Sequence, residues 1–380
     1  MRDRSGRRDQ GQLALRMTTE CPKCDAYTLC GGASTVPCEC VYARSDPSHK
    51  QCGTCALWCR ERHLPGQRSY AEEYQFLTSL QGTGDSFQDA LGILPAFVPS
   101  KVEEIPIDQR LIAPWVAIEL RKLLTSTTKS AARLSGVALT QSLRAKMRVS
   151  DETSLIVLLH GNDNLLERFW EMDRQPFYQQ LLKHNINAIM GTTFSLYNEG
   201  RLRPASHNVM QLRRHSHVLH ELSSYGLTYI PNLYLRAVKD EVELAAWLRD
   251  RTDIRQVARD LSMNKTWRAK EVELDLLARA LDRTARNFNV LVTGVSIGTY
   301  REVVSHLHKN GHTCTVVTPD PIMKAHHGRN LASREAGSRT TLYQRNLERM
   351  DREIRALDQQ LGIRRTPTYP GLAVAGAQAA

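Results

Sequence analysis

No run of apolar residues in this 380-residue chain approaches the ~20 needed to cross a bilayer, and the N-terminus has no apolar secretion-signal core. The expectation is a cytoplasmic protein with no membrane partner. Neither a GxGxxG nor a Walker sequence occurs, so no phosphate-binding motif supports an open doubly wound sheet. Cysteine is almost confined to the first 59 positions, since of nine only Cys314 lies beyond them. Acidic residues are in deficit: 40 Asp+Glu stand against 51 Lys+Arg, for a formal charge of +11. That balance favours a polyanionic partner, because each neutralised phosphate releases counterions. An ordinary basic protein is the alternative, and Arg2, Arg4, Arg7 and Arg8 inflate the total from a terminal arm (1–18) that reads as disordered.

What is present begins with eight thiols in residues 19–63: Cys21, Cys24, Cys30, Cys38, Cys40, Cys52, Cys55 and Cys59. In a reducing compartment clustered cysteines point to metal rather than disulfides. Two Cys-x-x-Cys turns can close a tetrahedral zinc site, so zinc is the expected metal, with an iron–sulfur cluster as the alternative. The radical-SAM order Cys-x-x-x-Cys-x-x-Cys is missing; Cys52, Cys55 and Cys59 show the reverse spacing. Such a head has little core of its own, and a metal would staple it. Residues 64–91, polar and Gly-rich, read as a connector.

From 92 to 330 the chain alternates short β-branched or aliphatic runs with amphipathic stretches. The runs are Pro95–Pro99, Trp115–Leu120, Leu155–Leu159, Ile186–Met190, Leu227–Leu235, Val257–Met263, Phe288–Val292 and Thr313–Val317. Between them the spacing predicts helices over Leu165–Asn185, Val209–Tyr225 and Glu271–Arg286, and Gly226 and Gly311 suit helix C-caps. Strand–helix alternation implies parallel pairing, and eight repeats close an α/β (β/α)8 TIM-like barrel. An open doubly wound sheet is the alternative if the sixth run is helical. After the barrel comes a C-terminal extension (331–365) with a charged helix over Thr341–Gln360. That helix can pack on the barrel or on a partner, a homodimer included. Residues 366–380 read as a disordered tail.

In a parallel sheet the carboxyl ends of the strands share one face, where loops bind ligands. The third run ends in His160-Gly161-Asn162-Asp163-Asn164, the fourth in Thr192-Thr193-Phe194-Ser195, the fifth offers Asn232, the sixth Asn264, the seventh Gly294 to Gly298, and the eighth runs into Thr318-Pro319-Asp320. Asp163 and Asp320 are a candidate carboxylate pair for glycosyl transfer, one to attack an anomeric carbon and one to move a proton. Plainer roles compete: Asp163 as a helix cap, Asp320 as a turn residue, Asn232 as a backbone partner.

Leu94-Pro95-Ala96-Phe97-Val98-Pro99, LLHGNDN around Asp163, the segment Thr293 to Val304 and the stretch Pro319 to Gly328 occur in an order that resembles the tRNA-guanine transglycosylase superfamily, in particular its DNA 7-deazaguanine transglycosylase branch of phages and bacteria. The resemblance covers most of residues 92–330. It implies a barrel enzyme in which Asp320 attacks C1′ of a deoxyguanosine in DNA, guanine leaves, and a 7-deazaguanine base replaces it, with Asp163 moving the proton. It further implies base contacts from Asn162, Thr193, Asn232, Gly294, Ser296 and Gly298, and phosphate contacts from Arg201, Arg203, Arg213 and Arg214. Thr192 and Thr193 stand where the family has a base-reading aspartate, and the thiols precede the barrel instead of following it. Two other functions are compatible with the same residues: a non-catalytic, zinc-stapled nucleic-acid-binding protein of a phage or mobile element, and an iron–sulfur oxidoreductase.

Overall fold

A computed structural model describes residues 83–92, 94–105, 110–125, 132–196, 205–235, 238–329, 331 and 339–363. In chain order the elements are β1 (Phe97–Pro99), β2 (Trp115–Glu119), α1 (Leu120–Leu123), β3 (Leu124–Thr125), β4 (Arg133–Leu134), α2 (Leu143–Met147), β5 (Ser154–Leu158), α3 (Asp163–Glu171) and α4 (Gln175–Lys183). These are followed by β6 (Ala188–Met190), α5 (Ala205–Ser224), β7 (Tyr229–Ile230), α6 (Val238–Asp250), β8 (Gln256–Asp260), α7 (Trp267–Asp282) and β9 (Asn289–Thr293). The series ends with α8 (Tyr300–Lys309), β10 (Thr313–Thr318), α9 (Asp320–His326) and α10 (Arg339–Gln360).

The protein is an α/β structure with parallel sheets. Two four-stranded sheets run in the orders β1-β10-β9-β8 and β2-β5-β6-β7, and β3 and β4 form a separate antiparallel pair. Within both larger sheets all neighbours are parallel. Two isolated parallel bridges join residues of the two sheets: Ser100, after β1, with Ala117 of β2, and Asn232, after β7, with Ala258 of β8. At the second bridge Ala258 donates its N–H to Pro231 O and its carbonyl accepts from Leu233 N, both at 2.8 Å.

Alternate residues of these strands face two different cores, as the two-residue strand period requires. Val98, Ala117, Ile156, Leu158, Ala188, Met190, Ile230, Ala258, Leu291 and Val317 meet in one compact apolar cluster together with Leu94. Their neighbours in sequence, such as Val116, Val157, Ile189, Val257, Val290 and Val316, pack on the helices in a larger cluster. Both faces are therefore apolar, which is why the runs read as continuous Val/Ile/Leu rather than alternating.

Each of the eight expected runs contains a strand, and the differences have local causes. The fifth shrinks to Tyr229–Ile230, because Pro231 follows and has no N–H to continue the ladder. The expected helix Leu165–Asn185 is two helices: α3 stops at Met172, whose ψ of 155° is extended, and α4 restarts with Pro176 in its first turn. Helix α6 was not anticipated; it buries Ala245 and Leu248 between β7 and β8. Gly226 and Gly311 take φ of +67° and +77° after α5 and α8, as helix-ending glycines do. No helix among the described residues is long and apolar enough to cross a membrane.

Residues at the end of the expected connector are bonded to the amino ends of the strands. Gln88 is buried there, its amide donating to Tyr229 O and Gln256 O at 2.9 Å and accepting from Arg255 N and Gln256 N. Helix α10 buries Leu342, Leu347, Met350 and Ile354 against the larger core.

Candidate functional site

Extending the strand period one step past the inner apolar cluster gives the polar residues on that same face at the carboxyl ends: Ser100, Glu119, His160, Thr192, Asn232, Asp260 and Thr293. Two of them meet from different sheets. His160, two residues past β5, brings Nδ1 to 3.9 Å from Oδ2 of Asp260, the last residue of β8. Their side chains are 17% and 15% exposed, so the pair is accessible yet largely shielded.

Asp260 is held by its neighbours. Its Oδ1 accepts from Ser262 N at 3.0 Å, Ser262 Oγ at 2.5 Å and Thr293 Oγ1 at 2.8 Å. The two contacts from Ser262 form a short turn that ends β8 and fixes the carboxylate's rotation. Burial, then the Asp260 charge, pushes the phenol of nearby Tyr234 well above its ordinary range, so Tyr234 remains a donor, here to Thr192 O at 2.9 Å. Lys270 of α7 donates to Gly294 O at 2.6 Å and Leu261 O at 3.2 Å, tying the loops after β8 and β9 together. Burial lowers its ammonium's pKa, the Lys265 charge adds to this, and the Asp260 charge opposes it.

Asp320 opens α9, and its Oδ2 accepts from Ile297 N at 2.7 Å. Thr293, the last residue of β9, and Ile297, in the loop that follows, thus hold Asp260 and Asp320 respectively. Gly294 lies between them at φ +73°, and a Cβ there would sit 2.2 Å from Ser262 N, so the loop closes on β8 only as glycine. Asp163 is the first residue of α3, and its Oδ1 accepts from the Ser195 hydroxyl. The structure records no contact between Asp163 and Asp320; each has its own partner.

The remaining expected ligand-binding residues fall into several environments. Asn162 is the N-cap of α3, its Oδ1 accepting from Leu165 N at 2.9 Å. Asn232 is buried, with Nδ2 toward Thr192 O at 3.5 Å and Oδ1 accepting from Asp260 N at 3.2 Å, so its amide stitches backbone across the seam between the sheets. Thr193 is buried at the end of β6. Ser296 is exposed, its N–H and hydroxyl both 3.3 Å from Thr299 Oγ1, and Gly298 is exposed beside it, where an added Cβ would meet Ser296 Oγ at 3.7 Å. Arg213 is exposed on α5, whereas Arg214 is buried against Glu167 at 2.9 Å and lies over the Trp170 ring at 5.0 Å. Arg214 therefore neutralises an internal carboxylate and is not at a surface where phosphate would lie. Beside it, His215 contacts Thr192 Oγ1 at 3.0 Å, and burial pushes its imidazole down to about 4. Arg201, Arg203 and the eight cysteines lie outside the described residues. Among the described residues no cluster of three or more His, Cys, Asp or Glu side chains suits a metal ion.

His160 was visible in the sequence as a strand end, but its partner was not. The sixth run was extended to Met263, placing its end at Asn264 and hiding Asp260; strict alternation from the small inward Ala258 would have found it. No family model matches the chain, and no curated protein matches it.

Proposed function

We propose that the two four-stranded sheets form one closed (β/α)8 barrel and that the protein is a base-exchanging glycosyltransferase. In this reading it replaces guanine in DNA with a 7-deazaguanine base, while zinc held by the eight N-terminal thiols staples the head. The observation that carries the reading is the gathering of carboxylates at the same ends of the strands: Asp163 after β5, Asp260 in β8 and Asp320 after β10. Base exchange with one covalent intermediate needs a carboxylate nucleophile and a second group to move a proton, and no external energy source.

Asp320 suits the nucleophile's role because the Ile297 N–H fixes one oxygen and leaves the other outside any hydrogen bond recorded among the described residues. Attack by that oxygen on C1′ expels guanine, and the incoming base displaces the carboxylate. A duplex substrate has its guanine flipped out first, at a cost on the order of a few kcal/mol. The net charge of +11 and the exposed Arg213 favour a nucleic-acid substrate.

The test is nucleoside mass spectrometry on DNA from cells expressing the chain together with a deazaguanine supply. The expected result is a 7-deazaguanine deoxynucleoside with the wild-type chain and none with Asp320→Asn. Unmodified guanosine throughout, with soluble wild-type protein present, discards the reading. If both chains then still bind DNA equally, the non-catalytic binding protein takes its place.

A further inference from the structure

We infer that His160 is the proton-transfer group of this site and that Asp260 is the residue positioning it, an assignment that rests on the base-exchange reading above. The strand period puts both on the face of the inner apolar cluster: His160 shares the phase of Ile156 and Leu158, and Asp260 that of Ala258. They come from different sheets and meet at 3.9 Å, beyond hydrogen-bond length but with Nδ1 facing the carboxylate. No other partner of the His160 ring is recorded among the described residues, which leaves Nε2 to a ligand.

Asp260 is built for a positioning role. Three donors saturate its Oδ1, so the carboxylate cannot turn away, and Oδ2 stays directed at His160. An oriented carboxylate facing Nδ1 of an imidazole fixes the ring's orientation and leaves Nε2 facing the ligand. The end of β9 and the loop that follows also link the pair to the nucleophile, since Thr293 holds Asp260 while Ile297 holds Asp320. Lys270 pins the intervening Gly294. Asp163, at the head of α3, accepts instead from the Ser195 hydroxyl.

In the exchange, the free oxygen of Asp320 forms a bond to C1′ as the C1′–N9 bond breaks. The bonding pair leaves with guanine, and the His160 Nε2 proton passes to N9. The incoming base then gives its N9 proton to His160, its nitrogen bonds C1′, and the C1′–oxygen bond breaks to restore the Asp320 carboxylate. Protons and electrons balance without a further reactant.

The experiment combines turnover with a measurement that needs no substrate. His160→Ala is expected to lower kcat for exchange by roughly 10²–10⁴-fold, with KM for DNA within about twofold, and added imidazole to restore part of the loss. Asp260→Asn is expected to lower kcat on the order of 10-fold or more. In the protein without substrate, Asp260→Asn is expected to slow acylation of His160 by diethyl pyrocarbonate by about threefold or more, because the oriented carboxylate no longer supports the attacking imidazole. If the wild type exchanges bases and His160→Ala does too, the assignment falls while the function stands. Loss of turnover in Asp163→Asn alone has the same meaning. If the wild type exchanges nothing, the function falls and the acylation rate decides the pair: equal rates in wild type and Asp260→Asn overturn it.

Discussion

The two ends of the same strands treat polar side chains in opposite ways. At the amino ends, on the inner face, Gln256 donates to Gly92 O and accepts from Asn289, Asn289 also donates to Thr315 and accepts from Thr313, and Gln88 bonds four backbone groups of β7, β8 and the residue before β8. Arginines complete the seal: Arg144 donates to the carbonyls of Thr153, His184 and Asn185, and Arg286 to those of Leu248, Arg251, Thr252 and Ile254. At the carboxyl ends, Asp260 keeps one oxygen turned to His160, and Asp320 has one oxygen held and one outside any recorded bond. The saturated end stabilises, and the open end is where a ligand finds unspent hydrogen-bonding capacity.

The largest effect that sharpens this contrast lies at the sealed end. Gln88→Ala removes four hydrogen bonds and leaves backbone groups of Tyr229, Arg255 and Gln256 to find water, so we expect a loss of about 3–4 kcal/mol. Urea denaturation measures it. Base exchange per folded molecule is expected to stay at the wild-type level, because Gln88 is at the opposite end from Asp320. A loss under about 1 kcal/mol would mean that water replaces the amide freely and that this end is not a seal.

A second effect, somewhat smaller, is carried by pH at the other end. Burial holds His215 at about 4, below the ordinary 6.5, so the folded state resists a proton that the unfolded chain accepts. Its contribution is complete above 6.5 and is lost as pH falls from 6.5 to about 4, amounting to roughly 2–3 kcal/mol. His312, also lowered by burial, ramps with the same sign, while Asp351, raised by burial to about 6, ramps with the opposite sign below that value. The informative quantity is therefore the difference between wild type and His215→Gln. That difference should shrink between pH 6.5 and 4; if it is flat, His215 is not the neutral group behind Thr192.

Much of the fold was legible, because Val, Ile and Leu runs buried on both faces have few other readings. The two glycines at helix ends were legible because φ above zero excludes most residues. Helix α6 was missed since its apolar face is narrow, with Ala245 and Leu248 fully buried and Leu244 and Trp247 only partly so. The site was legible less far. Asp320 and His160 follow strands whose ends are sharp, whereas Asp260 sits inside QVARDLSM, where an apolar Leu261 prolongs the strand pattern past its end. Arg214 was expected at a phosphate because sequence spacing does not reveal that Glu167 and Trp170, from another helix, cover it.

The smallest effect tests whether proximity to the sealed end matters by itself. Asp89 and Arg255 form an ion pair of 3.0 Å beside Gln88, but both side chains are 70% exposed. In water at that exposure the attraction is screened, and ordering two mobile side chains offsets most of it. Asp89→Asn is expected to change stability by less than about 0.5 kcal/mol, with the difference fading as salt is added. Its neighbour Gln88, one residue earlier, is uncharged, buried, and bonded to backbone rather than to a side chain. A change for Asp89→Asn as large as that for Gln88→Ala would show that charge, and not the saturation of buried backbone groups, closes the amino end.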